Sequence, residues 1–116
     1  MARADTVKAV GDPSYLDPEV STEARESCSQ LLQPGADVYW RAVDVFNVFG
    51  RALPDADRLY VVWGALTDSW ELEPEQRPET EDVMRYAAKE FLSATESASA
   101  LDAYLSRWHE RLRIPV

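Results

Sequence analysis

One stretch of the sequence is dense in carboxylates, a group that can perform acid–base catalysis, bind divalent cations or contact basic proteins. Six acidic side chains fall within residues 71–82, with Arg77 as the only cation among them: Glu71, Glu73, Glu75, Glu79, Glu81 and Asp82. A calcium loop needs a glycine at its turn and a bidentate glutamate at a fixed offset, and this stretch has neither. We therefore expect these carboxylates either to face solvent or to dock a basic partner surface.

Asp68 is a lone acid in a strongly apolar segment that also contains Trp63 and Trp70. If Asp68 were buried, its pKa would be raised and it could act as an acid or a base. This gives an enzymatic or small-ligand alternative, with a pocket near Asp68, Trp63 and Trp70. The competing interpretation places Asp68 on an exposed strip or in an ion pair. A ligand-binding version predicts an apolar cavity lined by Phe46, Phe49, Trp63 and Phe91.

His109, the only histidine, lies at helical spacing from Asp102 and Ser106, which are the residue types of a nucleophilic triad. A triad needs a base within hydrogen-bond reach of the nucleophile, and it normally assembles from separate chain segments. Three side chains along one helix cannot readily surround a substrate. We interpret His109 as a surface histidine near a helix end.

The single cysteine, Cys28, excludes a disulfide within the chain, and one cysteine with one histidine excludes a typical zinc site. Cys28 is predicted to be a buried thiol on the core side of a helix. The sequence has no Gly-rich phosphate loop and no helical Glu-x-x-His pair. We therefore expect no catalytic residues, no metal and no cofactor, and we favour a protein that is not an enzyme.

A second candidate contact site centres on Trp40. In the helix predicted around it, Trp40 falls among Asp44, Asn47 and Arg51, away from the main apolar stripe. Tryptophan and arginine are enriched at interface hot spots. The alternative is that the N-terminal arm or the first helix covers Trp40. We predict Trp40, Asp44 and Arg51 as partner-binding residues, together with the six carboxylates of residues 71–82.

Hydrophobic periodicity predicts the helices that position these residues. Asp17 and Pro18 form an N-cap followed by proline at the first helical position, and a Gln-Pro-Gly sequence at residues 33–35 ends this helix. Further helices are predicted over residues 37–53 and 58–70, from near Thr80, and from about Leu101 to Pro115. Residues 71–79 are predicted to be a loop.

The third predicted helix is apolar on most faces, so we expect it at the centre of the fold, with Gly64 at a close helix crossing. A strand over Leu59–Trp63 is the alternative, because the run is rich in β-branched and aromatic residues. The predicted fold is all-α, a compact bundle of about five antiparallel amphipathic helices. Residues 1–16 are predicted to be a mobile arm, and residues 17–116 one helical domain.

The net charge of −9, from 21 acidic and 12 basic residues, repels phosphate backbones and attracts basic proteins. We therefore expect no direct nucleic-acid binding. The longest apolar run, residues 59–66, is far below the roughly 20 residues of a membrane span, and the N-terminus lacks the apolar stretch of a signal peptide. We expect a cytoplasmic protein without membrane contact. Ten of the 12 basic residues are arginine, which we attribute to a GC-rich bacterial genome.

These features together predict a small acidic, non-enzymatic protein-interaction domain. Acidic inhibitors of this size match basic nuclease or toxin surfaces by electrostatic steering, so an immunity- or antitoxin-like role fits. A homodimer is a second arrangement, because four Trp, five Tyr and three Phe are a large aromatic content for one small core to cover.

Overall fold

A computed structural model describes residues 16–114, and this part of the chain forms five α-helices joined by short connections. A short 3-10 turn at Pro74–Gln76 precedes the fourth helix. The helices are α1 (Pro18–Leu31), α2 (Val38–Arg51), α3 (Asp57–Leu72), α4 (Arg77–Ala94) and α5 (Ala98–Arg111).

The predicted all-α bundle of five helices is confirmed. Residues 59–63 lie inside α3, and residues 16–114 contain no strand, so the strand alternative for this segment is wrong. The antiparallel order of the helices stays a prediction. The arm predicted for residues 1–16 lies outside the described residues except for Leu16, which is buried. None of the helices between residues 16 and 114 combines the length and apolar character needed to cross a membrane.

Three of the helices begin at side-chain caps. The side chains of Asp17, Asp37 and Ser97 accept hydrogen bonds from backbone N–H groups in the first turns of α1, α2 and α5. Each cap satisfies one of the N–H groups that have no partner within the helix. The Asp37 cap fixes the start of α2 and with it the position of Trp40, whose N–H it binds at 3.2 Å.

The loop predicted at residues 71–79 is largely helical, which corrects the sequence prediction. Helix α3 continues to Leu72, the 3-10 turn begins at Pro74, and α4 begins at Arg77, about one turn before Thr80. Proline is favoured in the first turn of a helix, where its missing N–H costs nothing. Pro74 and Pro78 therefore lie in the first turns of helical segments, within the stretch predicted to be a loop.

Helix α4 contacts all four other helices, while α3 contacts α2, α4 and α5. The expectation that α3 is the central helix is therefore wrong. Ala87 and Ala88 of α4 are completely buried, and their small side chains let neighbouring helices approach on both sides. The crossing of α2 and α3 is close at Gly64, as predicted: a Cβ there would lie 2.9 Å from Cε1 of Phe46.

Arg25 ties α1 to the C-terminal end of α4. Its Nη1 donates to the carbonyl oxygen of Leu92 at 3.0 Å and also to the hydroxyl of Thr95. Helix α4 has no basic residue in its own last turn. Arg25 therefore supplies from another helix the positive charge that a helix C-terminus favours.

Candidate protein-binding surface

Trp40 is the third residue of α2, and its side chain is 60% exposed. Helix α1 therefore does not cover Trp40. The other proposed cover, the N-terminal arm, lies outside the described residues. The Trp40 ring meets the ring of Tyr39 edge-on, with centroids 5.1 Å apart. It also forms part of the wall of a groove of about 560 Å³ at the α1–α2 connection, together with Gln33 and Pro34.

Tyr39 belongs to a stack that joins three helices. Its ring lies parallel to that of Trp70 in α3, with centroids 4.0 Å apart. The guanidinium of Arg77, at the start of α4, lies 3.8 Å from the centroid of Trp70. The Nε of Arg77 also donates to the Trp70 carbonyl oxygen at 2.8 Å. The stack holds the exposed Trp40 on a rigid base, because each ring is fixed by a neighbour.

Two of the six predicted carboxylates hold this stack in place. Glu71 accepts a hydrogen bond from the hydroxyl of Tyr39, and Glu81 accepts one from Nε1 of Trp70 at 2.9 Å. The hydrogen bond to Glu71 raises the pKa of Tyr39 above its ordinary value, and the charge of Glu71 adds to this effect. These two glutamates therefore have a structural role that the charge pattern alone did not show.

The other four carboxylates differ among themselves. Asp82 forms an ion pair with Arg85 at 2.7 Å. Glu73, Glu75 and Glu79 are exposed, and none of them forms an ion pair within residues 16–114. Within residues 16–114, these three carboxylates form neither an ion pair nor a side-chain hydrogen bond, whereas Glu71 keeps its charge but is fixed by Tyr39.

Asp44 and Arg51, the other two predicted contact residues of α2, each form an ion pair with another residue. Asp44 pairs with Arg41 at 3.2 Å, and Arg51 pairs with Glu23 of α1 at 3.1 Å. Arg51 is also the last residue of α2, so it lies about 16 Å along the helix axis from Trp40. Asp44 lies only one helical turn, about 6 Å along the axis, from Trp40, so Trp40 and Asp44 are neighbours on α2 while Arg51 lies at its other end.

Leu72, which the sequence analysis did not single out, is 77% exposed at the end of α3. It follows Glu71 directly and extends the apolar area next to the stack. We call this region the aromatic–acidic surface. It consists of Tyr39, Trp40, Trp70, Glu71 and residues 72–79.

The residues of the enzymatic alternative are not brought together. Asp68 is exposed, Trp63 is completely buried, and Trp70 belongs to the stack. The enzymatic alternative depended on a buried Asp68, and the exposure of Asp68 removes that basis. The indole Nε1 of Trp63 is the one buried side-chain nitrogen or oxygen within residues 16–114 without a hydrogen-bond partner.

The four aromatic residues predicted to line a ligand cavity fill the interior instead. Phe49 and Phe91 are completely buried and pack edge to face, with centroids 5.7 Å apart. Phe46 stacks on Tyr60 at 4.4 Å. Ring-against-ring packing of this kind is how a protein core reaches its normal density.

His109 and Ser106 line a groove of about 620 Å³ between α3 and α5. Nε2 of His109 donates to the carbonyl oxygen of Arg58 at 3.3 Å, and Asp102 pairs with the Arg58 guanidinium at 3.5 Å. Both outer members of the Asp102–Ser106–His109 strip are thus engaged by Arg58. Among the described residues, Ser106 and His109 share no hydrogen bond.

Cys28 is buried as predicted, with no exposed surface. Burial raises the pKa of its thiol from 9.0 to about 12, and the charge of Arg25 lowers it only in part. A thiol with so high a pKa is protonated at neutral pH and is a poor nucleophile. Between residues 16 and 114, no group of three or more His, Cys, Asp or Glu side chains is placed to hold a metal ion.

Comparison of the chain with known proteins identifies no relative. No protein-family model matches the chain, and neither a curated protein nor a solved structure matches it.

Proposed function

We propose that the protein is a non-enzymatic binding module whose aromatic–acidic surface docks a basic partner protein. The observation that carries this proposal is Trp40, a large side chain that is 60% exposed and held at its base by the Tyr39–Trp70 stack. A rigid aromatic side chain loses little conformational freedom on binding, which is one reason why tryptophan is enriched at hot spots.

The exposed carboxylates that follow Trp70 along the chain indicate the kind of partner. Glu73, Glu75 and Glu79 are exposed and free of ion pairs within the described residues. The whole chain carries a net charge of −9, so its long-range field has the same sign as this surface. Complementary charge steers encounter and disfavours acidic partners. A basic protein surface with a pocket for Trp40 therefore fits best.

Within this class, inhibition of a basic nuclease or toxin is the role that fits the properties of the chain. A small acidic bundle can cover a cationic active site without contributing chemistry of its own. We place this immunity- or antitoxin-like protein in a bacterial cytoplasm and expect no direct binding to nucleic acid. A homodimer formed through Trp40 is the competing arrangement, and light scattering of the isolated protein separates the two.

Affinity capture from the source organism, repeated with two variants, tests the proposal. The wild-type protein should retain a basic partner at low salt and release most of it at high salt, because exposed charges are screened. With the captured partner purified, Trp40→Ala should weaken binding by about tenfold or more, as expected for a hot spot. Glu73→Gln, Glu75→Gln and Glu79→Gln combined should weaken binding and flatten its salt dependence.

A matched control separates the effect of these three carboxylates on binding from the effect of the overall net charge. Glu19→Gln, Glu26→Gln and Glu96→Gln combined remove the same number of charges from exposed positions outside the surface. This control should bind nearly as the wild type does. The proposal fails if the partner is acidic, if Trp40→Ala binds like the wild type, or if both triple variants lose affinity equally.

A further inference from the structure

A groove between α4 and α5 is lined by three cations, although the chain as a whole is strongly acidic. Its two adjoining parts have volumes of about 290 and 390 Å³ and share Tyr86, Glu90 and Arg107. Arg111 lines the smaller part and Lys89 the larger. Glu90 and Glu110 also line the groove, so its three cations and two carboxylates give a net charge of +1 on a chain whose net charge is −9.

Two of these cations have no carboxylate partner among the described residues. Lys89 forms no ion pair there, and the guanidinium of Arg111 lies over the rings of Trp108 and Tyr86, at 4.7 and 5.2 Å from their centroids. Several arginines elsewhere on the surface are instead paired with acids: Arg41 with Asp44, Arg51 with Glu23, and Arg58 with Asp102. Lys89 and Arg111 thus keep their charge available.

The third cation is balanced inside the groove. Arg107 lies 3.5 Å from Oε1 of Glu90, and the same oxygen accepts a hydrogen bond from Nε1 of Trp108 at 2.8 Å. Glu90 is thereby held by a hydrogen bond from Trp108 and an ion pair with Arg107, which largely offsets its charge. Of the other charges, Glu110 lines the smaller part together with Arg111, so the net positive charge lies in the larger part, beside Lys89.

Apolar surface accompanies this charge. Tyr86 is 48% exposed. Small side chains line the larger part of the groove, those of Ala94, Ala100 and Ala103. From Tyr86 to Ala94 the groove follows α4 for about 12 Å, a length that roughly four residues of extended chain would cover. The dimensions suit a short peptide with both acidic and apolar side chains.

We propose that the α4–α5 groove binds an acidic peptide segment of a partner protein. Carboxylates of the peptide pair with Lys89 and Arg111, and an apolar side chain packs on Tyr86. A nucleic acid fits less well, because it carries a phosphate at every nucleotide and some of these would lie next to Glu90 and Glu110. A peptide, in contrast, can place its carboxylates at Lys89 and Arg111 and neutral side chains beside the glutamates. This surface is separate from Trp40 and does not depend on the function proposed above.

Fluorescence anisotropy of a labelled octapeptide of alternating glutamate and leucine tests the proposal. The wild-type protein should bind it at low ionic strength, where exposed ion pairs are least screened. Lys89→Ala should weaken binding by about threefold, and Arg111→Gln by more, because Arg111 also orders Tyr86. A peptide with glutamine in place of glutamate should bind at least about tenfold more weakly.

Arg41→Ala is the matched control, since it changes the net charge as Lys89→Ala does but lies outside the groove. It should bind the peptide like the wild type. Circular dichroism checks that Arg111→Gln is folded. If Arg111→Gln is unfolded, Lys89→Ala alone tests the proposal, because Lys89 is exposed and its replacement leaves the fold intact. Lack of peptide binding up to about 1 mM overturns the proposal. So does an equal loss in Arg41→Ala, or tighter binding of an eight-nucleotide single-stranded RNA.

Discussion

The buried thiol of Cys28 makes the stability of the fold fall as the pH rises above 9. In the folded protein, burial raises the pKa of Cys28 from 9.0 to about 12. In the unfolded chain the thiol is exposed and ionises near its ordinary pKa. Between these two values the folded state therefore binds one proton more than the unfolded state. The free energy of unfolding must then decrease with pH across this window.

The size of the effect follows from the pKa difference. One proton corresponds to about 1.4 kcal/mol per pH unit, so the full window of three units removes about 4 kcal/mol. Between pH 9 and pH 10 the loss is about 1 kcal/mol, because the unfolded thiol is only partly ionised at pH 9. Burial also raises the pKa of Tyr104 well above 10.0, and the hydrogen bond to Glu71 raises the pKa of Tyr39, so ionisation of these tyrosines in the unfolded chain begins to add to the loss as the pH approaches 10. A variant without Cys28 keeps the tyrosine contributions, so its difference from the wild type isolates Cys28.

Urea unfolding followed by tryptophan fluorescence at pH 8, 9 and 10 measures this loss. Cys28→Ala should be less stable at pH 8 by about 1 kcal/mol, since it removes a buried sulfur and leaves a small cavity. Its stability should nevertheless decline less between pH 9 and pH 10 than that of the wild type. Parallel decline in the two proteins would refute the reasoning. Rapid reaction of Cys28 with a thiol reagent in the folded state would also refute it.

Two further predictions concern contacts between helices. Arg25→Ala should destabilise the fold by about 1 kcal/mol in urea unfolding, because the carbonyl of Leu92 and the hydroxyl of Thr95 lose their shared donor. Arg41→Ala is the exposed control, and an equal loss of stability in the two variants would contradict this prediction. Trp70→Phe keeps a stacking ring but loses the indole donor to Glu81, so it should cost about 1 kcal/mol, and Trp70→Ala should cost more because the stack is lost. Equal stability of the two Trp70 variants would show that the ring stack contributes nothing.

The helices could be predicted because each repeats apolar residues at helical period. The stripe that contains Ala42, Val45 and Phe49 is buried in α2, and the caps Asp17 and Asp37 start helices as their residue types suggest. The prediction failed where a local signal had two meanings. Proline both ends a helix and starts one, and the choice at Pro74 and Pro78 depends on the helices packed around them.

The candidate site was predictable only in part, for a related reason. Helix periodicity places Trp40 off the apolar stripe of α2, but it does not decide whether another segment covers the ring. Periodicity also does not predict the support of the ring, because the contact between Tyr39 and Trp70 depends on where α2 crosses α3. The same crossing decides that Glu71 receives a hydrogen bond, while Glu75 stays free. Charge counted along the sequence treats both glutamates alike, and only the packing distinguishes them.

This division of the carboxylates separates two kinetic effects at the aromatic–acidic surface. Free charges act at a distance and raise the association rate, whereas a rigid apolar anchor acts after contact and slows dissociation. Neutralising Glu73, Glu75 and Glu79 should therefore lower the association rate with a basic partner and reduce its dependence on salt. Trp40→Ala should leave association nearly unchanged and speed dissociation by about tenfold or more. Surface plasmon resonance measures both rates, and a Trp40→Ala variant that changed only the association rate would place the anchor elsewhere.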